Sequence, residues 1–164
     1  MSYLLDANVF IAAKRLHYGF DFCPAFWDWL VAESGAGKVF SIERVRNEVA
    51  TGADDLSVWA DNRGASFFLP ADAPMLSSFR QVSTWVMEQA YTARAIDLFS
   101  QGADSYLVAH ALAHRMIVVT HEKPENSKNI VKIPNACVAL GVAFATPFEM
   151  LRRERARFVL GRNL

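Results

Sequence analysis

The chain has 164 residues, 52% of them hydrophobic and 12% aromatic, and its 17 basic and 17 acidic residues cancel to a net charge of zero. This excludes disorder and predicts one domain over residues 1–164 with a sizeable core. It also excludes a generic high-charge nucleic-acid binder, so any nucleic-acid contact must come from a local basic patch. The longest uncharged apolar stretch, Ala136 to Ala145, is too short to span a bilayer. The start Met-Ser-Tyr-Leu-Leu-Asp has no basic region followed by a long apolar run, so no membrane contact and a cytoplasmic location are expected. Cys23 and Cys137 lack metal spacing and read as reduced packing residues.

In chain order, Tyr3 to Leu5 reads as a short buried strand, and the residues after Asp6 turn into a helix over Val9 to Leu16. Pro24 to Ser34 reads as a helix with Pro in its first turn and Gly35 and Gly37 beyond its end. Lys38 to Phe40 reads as a second strand, with Ser41 as N-cap of a helix running to Ala50. Asp54 or Asp55 caps a further helix ending near Gly64, and Ser66 to Leu69 reads as a strand closed by Pro70. A long helical region starts about Pro74, breaks near Tyr91 and stops by Gly102. Asp104 to His114 is a helix, Met116 to Val119 a strand, and His121 to Asn129 a polar loop. Val142 to Ala145 reads as the last strand. The final helix has Thr146 as N-cap, Pro147 at its first position and Glu149 closing a capping box. Continuous apolar strands alternating with helices indicate a parallel sheet covered on both faces.

Four carboxylates stand beside or within apolar segments: Asp6, Glu48, Asp104 and Glu122. Acidic side chains are rarely buried without a partner, and like charges brought together repel strongly when dry. A bound divalent cation resolves that conflict, and hard cations such as Mg²⁺ prefer carboxylate oxygen. Asp6 and Glu122 both follow strands, and ligands of such sheets bind outside the carboxyl ends of the strands. Ile42, Val45 and Val49 form the buried stripe of their helix, and Glu48 lies on the same side as Val45. Asp104, in phase with Leu107, Val108 and Ala111, sits in the first turn of its helix, where free amide groups suit an anion. Asn8 can supply an amide oxygen or orient a water, and Thr120 can hydrogen-bond a carboxylate behind the site. One or two Mg²⁺ or Mn²⁺ ions held this way suit hydrolysis of phosphodiesters.

The segments Leu4-Leu-Asp-Ala-Asn-Val-Phe-Ile11, Glu48, Ala103-Asp-Ser-Tyr-Leu-Val-Ala-His-Ala111 and Val118-Val-Thr-His-Glu122 occur in that order across nearly the whole chain. Together they resemble the PIN-domain ribonucleases, and particularly a PIN-like family related to toxins of type II toxin–antitoxin systems. The resemblance implies an α/β fold, a three-layer α/β/α sandwich with a central mostly parallel sheet. It implies Mg²⁺- or Mn²⁺-dependent endonuclease cleavage of RNA, frequent homodimerisation, and inhibition by a cognate antitoxin protein. By the same resemblance Asp6, Glu48, Asp104 and Glu122 are metal ligands or water activators, supported by Asn8 and Thr120. Two positions depart from the family pattern. Ala7 stands where many members have Ser or Thr, and Glu122 replaces the commoner Asp, which lengthens the arm.

Other readings compete at individual positions. An N-cap Asp is ordinary, so each acid taken singly reads equally well as structural. His110 and His114 have helical zinc spacing but no third ligand. Phe20, Phe22, Phe26, Trp27 and Trp29 suit a core or a protein interface better than base stacking. The Arg152-Arg-Glu-Arg-Ala-Arg157 run suits phosphate contact or a solvated helix face equally, whereas Lys123, Lys128 and Lys132 flank the acidic site and are the better candidates for RNA backbone contacts. A phosphatase of the haloacid dehalogenase type wants a second Asp two residues beyond Asp6, where this chain has Asn8. A catalytically degenerate PIN-like module that binds RNA or protein is the alternative motivated by Ala7 and Glu122.

Overall fold

Five parallel strands form the centre of the protein, whose computed structural model describes residues 1–161. They are β1 (Tyr3–Leu5), β2 (Val39–Ile42), β3 (Phe68–Leu69), β4 (Ile117–Val119) and β5 (Phe144–Ala145), in the spatial order β3-β2-β1-β4-β5. β1 is the middle strand. Tyr3 pairs with Val39 on one side and Ile117 on the other, and Leu5 pairs with Val119. Every residue of β1 and β4 is buried, as expected of a parallel sheet with both faces covered by helices. That condition is why these strands read as unbroken apolar runs, and the α/β sandwich agrees with the expected architecture.

The covering helices are α1 (Ala7–Ala12), α2 (Pro24–Gly35), α3 (Glu43–Ala50), α4 (Asp55–Asp61), α5 (Ala73–Glu88), α6 (Ala93–Gln101), α7 (Ala103–His114), α8 (Ile133–Leu140) and α9 (Pro147–Arg153). α1 continues through a widened turn over Ala13–His17, one residue looser per turn than an α-helix. Lys14 of that turn reaches the carboxylates of Asp54 and Asp55 at the start of α4. Asp54 also closes a capping box with Ser57, and Thr146 does the same with Glu149 at α9, as the sequence signals indicate. Phe26 and Trp27 enter the core, and Phe20 stacks on Trp27 at 4.0 Å. Cys23 and Cys137 are free thiols. No helix of the described residues is long and apolar enough to cross a membrane.

Two local expectations need correction. Ser41 is not a helix cap: it lies inside β2, and its hydroxyl donates to the Leu5 carbonyl at 2.6 Å. The strand runs on to Ile42, whose extended backbone opens α3 without a side-chain cap. Pairing with β1 therefore wins over local capping preference. The second is α8, which the sequence reading passed over. Pro134 lies in its first turn and Gly141, at φ 71°, closes its end.

The strand order reverses at β1, with β2 and β3 to one side and β4 and β5 to the other. Loops leaving β1 and β4 thus diverge, and a crevice opens at the carboxyl ends of these two strands.

Candidate metal centre

Asp6 leaves β1 at that crevice as the N-cap of α1, and it is only 5% exposed. Its Oδ1 accepts from the Ala7 amide at 2.7 Å and its Oδ2 from the Thr120 hydroxyl at 2.8 Å. Thr120 leaves β4 beside it and is 1% exposed. Its hydroxyl oxygen also accepts from Asn8 Nδ2 and from the Glu122 amide, each at 3.1 Å. A hydroxyl has one donor and two acceptor sites, so Thr120 is saturated and its rotamer is fixed. Asn8 completes the link by accepting the His121 amide on Oδ1 at 3.1 Å. Asp6, Asn8, Thr120 and the turn through Glu122 are thus one bonded unit joining the two central strands.

Asp104 and Glu122 approach from opposite elements. Asp104 lies in the first turn of α7, and both carboxylates line one cavity of about 210 Å³ with Phe99, Asn129 and Val131. Glu122 is tethered: Oε2 accepts from the Ile133 amide at the start of α8 at 2.7 Å, and Oε1 lies 3.8 Å from Lys132 Nζ. Glu48 is exposed on α3 and shares an open groove with Ala103. Its charge acts on Asp104 across that groove.

The electrostatics record the convergence. Burial, then the Asp104 and Glu122 charges, pushes the Asp6 carboxyl up to about 8, although its bonds to Thr120 and Ala7 pull the other way. Burial, then the charges of Glu122 and Glu48, pushes Asp104 up to about 6, with Lys132 opposing. Partial desolvation raises Glu48 as well. Such a cluster of repelling carboxylates favours a cation or protons. Its donors are carboxylate and amide oxygens, a set suited to Mg²⁺ or Mn²⁺ rather than to softer metals. Among the described residues, no three His, Cys, Asp or Glu side chains stand close enough to share one ion as they are placed.

The three lysines separate. Lys132 is half-buried against Glu122, Lys128 lies 5.2 Å over the Tyr91 ring, and Lys123 is exposed in the loop. On α7, His114 Nε2 lies 2.8 Å from Asp72 Oδ2 beside buried His110. Two side chains at this edge escaped sequence reasoning, His17 and Phe148, which group with His121. Phe148 had a usable signal, since it lies in the first turn of the helix that leaves the last strand, at the same edge of the sheet as Asp6. His17 had none, because its position depends on the widened turn.

Comparison with solved structures finds the crystal structure of FitAcB from Neisseria gonorrhoeae, with a TM-score of 0.53 and 19% sequence identity over 89% of this chain and 98% of that chain. At that identity the likeness is one of fold, and it agrees with the PIN-like arrangement expected from the sequence. No curated protein matches the sequence. The model of the family described as a domain of unknown function (DUF4411) matches residues 3–158, and the chain belongs to that family.

Proposed function

We propose that this protein is a divalent-metal-dependent endoribonuclease of the PIN type, the toxin of a toxin–antitoxin pair, with Asp6, Glu48, Asp104 and Glu122 as its acidic centre. The observation that carries the reading is the burial of Asp6 at the strand-order reversal, in the field of Asp104 and Glu122. Fold alone would not carry it, because function lives in the site. Asp6 and Asp104 are the residues to hold Mg²⁺ or Mn²⁺ directly. Mg²⁺ is commonly bound through one or two carboxylates with waters completing its shell. When bound, the cation supplies water activation and neutralises charge on the scissile phosphate. Thr120 and Asn8 fix the Asp6 carboxylate, Glu122 and Glu48 add negative field, and exposed Lys123 and Lys128 are the cations assigned to RNA phosphates. The cytoplasm, a homodimer and an antitoxin that covers the acidic crevice complete the proposal.

Cleavage of single-stranded and structured RNA with Mn²⁺, Mg²⁺ or EDTA, by wild type and Asp104→Asn, tests it. Metal-dependent cutting that falls at least about a hundredfold in the folded variant is expected, on the scale of lost electrostatic stabilisation. Equal cutting by both proteins would remove Asp104 from the centre.

One observation favours a second reading, a degenerate PIN-like module that binds RNA or protein. Glu122 is tied to the Ile133 amide and faces Lys132, which leaves it less free to serve a metal. RNA binding that is indifferent to divalent ions, without cutting under any of them, would favour this alternative.

A further inference from the structure

The same edge of the sheet carries a group of rings that the proposed cleavage does not use. His17 closes the widened turn after α1, His121 follows Thr120, and Phe148 lies in the first turn of α9. Ring centres are 5.2 Å apart for His17 and Phe148, which meet edge-on at 84°, 5.7 Å for His17 and His121, and 5.8 Å for His121 and Phe148. His17 is exposed and the other two are half-buried, so the core does not absorb them. Beyond Phe148 lies a cavity of about 200 Å³ walled by Tyr18, Phe158 and Arg152. That is several times the roughly 30 Å³ that one water occupies in the liquid. Arg152 and Arg15 are exposed and have no ion-pair partner among the described residues.

The rings adjoin the acidic centre through a bonded path. The His121 amide donates to Asn8, Asn8 donates to Thr120, and Thr120 donates to Asp6. We infer that His17, His121 and Phe148, backed by the Arg152 cavity, form a stacking subsite for an unpaired nucleobase of single-stranded RNA next to the carboxylates. This rests on reading the carboxylates as a phosphodiesterase centre and adds which side chains hold a base of its substrate. Every base has a π-face, so such a platform accepts any unpaired base, whereas the bases of a duplex are already stacked and its deep groove excludes side chains. Two of the three rings are imidazoles with polar edges, which suits a heteroaromatic base better than an aliphatic side chain of a protein partner. The unpaired arginines complement the flanking phosphates.

Fluorescence anisotropy with a labelled single-stranded RNA octamer and the same sequence as a duplex, in EDTA, reads binding without cleavage. Tighter binding of the single strand is expected. His17→Ala and Phe148→Leu should each weaken it roughly 5- to 100-fold, the span of one lost base stack. Arg152→Gln should lower the slope of log affinity against log salt by about one. Thermal melts confirm that the variants are folded, and exposed His17 carries the test if Phe148→Leu is not. Equal affinity for duplex, or unchanged affinity in folded His17→Ala, overturns the subsite. Failure of wild type to bind the octamer also overturns it. Binding without cutting in Mn²⁺ removes the nuclease reading alone, and cutting with unaltered binding in the variants removes the subsite alone.

Discussion

Thr120 shows how much one hydroxyl does at this centre. It donates to Asp6 and accepts from Asn8 and from the Glu122 amide, all in a place that is 1% exposed. Valine has nearly the same shape and none of these bonds. Thr120→Val leaves two donors and a carboxylate oxygen unmatched in the interior, and each such group costs about 1–3 kcal/mol. Thermal melts should therefore show a fall in Tm of at least several degrees for Thr120→Val and near-recovery for Thr120→Ser. The Thr120 bond also pulls the Asp6 carboxyl down, so its loss raises that carboxyl further and weakens any cation bound there. A Thr120→Val protein as stable as wild type would mean that the bonded unit between β1 and β4 does not hold the site. Asp6 and Thr120 were legible in the sequence because each directly follows a buried strand. The dual occupation of Glu122 was not, because it depends on where the chain returns at Ile133, eleven positions later, and loop closure leaves no local signature.

At the scale of elements, Glu122 ties the acidic centre to α8. Its carboxylate takes the Ile133 amide, one of the donors that the first turn of a helix leaves free. Glu122→Ala removes that acceptor and should cost about 0.5–2 kcal/mol, the range of a lost helix cap. Glu122→Gln keeps an acceptor oxygen and should melt close to wild type, but it withdraws a charge that raises both Asp6 and Asp104. Nuclease assays of the two variants separate the roles. Cutting kept by Gln and lost by Ala makes Glu122 a helix anchor, and cutting lost by both makes its charge part of the centre. Most elements were legible from punctuation such as Pro24, Asp54 and the Thr146 capping box, where local chemistry and tertiary structure agree. Where they disagree the sequence misleads. Ser41 has the chemistry of a cap but is claimed by the strand pairing and by Leu5. The end of α7 falls at Arg115, a left-handed residue at φ 53° with none of the usual glycine signal. α8 hides in an apolar stretch that periodicity alone does not divide between helix and strand.

For the molecule as a whole, the centre sets a pH dependence whose sign follows from its carboxyls. In the unfolded chain an Asp titrates near its ordinary value of 3.8, whereas in the folded protein Asp6 is pushed up to about 8 and Asp104 to about 6. Between about pH 4 and about pH 8 the folded state therefore holds more protons than the unfolded one. At these two groups stability must fall as pH rises through that window and level off above it, whereas His110 and His121, held by burial below their ordinary value of 6.5, oppose the fall below about pH 6.5. The exposed pair of Lys38 with Glu154 does not offset this, because Glu154 is held below its ordinary value and its contribution is already complete above the usual carboxylate range. Melts in EDTA should show Tm declining between about pH 6.5 and about pH 8, where folded Asp6 still holds its extra proton and the histidines no longer oppose it. A cation bound by the deprotonated centre reverses the trend, because it binds only the folded state and competes with protons. Millimolar Mg²⁺ or Mn²⁺ should therefore raise Tm more at pH 8 than at pH 5.5, and Asp104→Asn should flatten the decline and remove most of the metal effect. A Tm that stays level or rises between about pH 6.5 and about pH 8 without metal would show that these carboxylates do not share a buried field. The cation would then have no electrostatic reason to bind between β1 and β4. A declining Tm that metal fails to restore would instead leave protons as the natural counterions of the centre, and a role in binding rather than cleavage would follow.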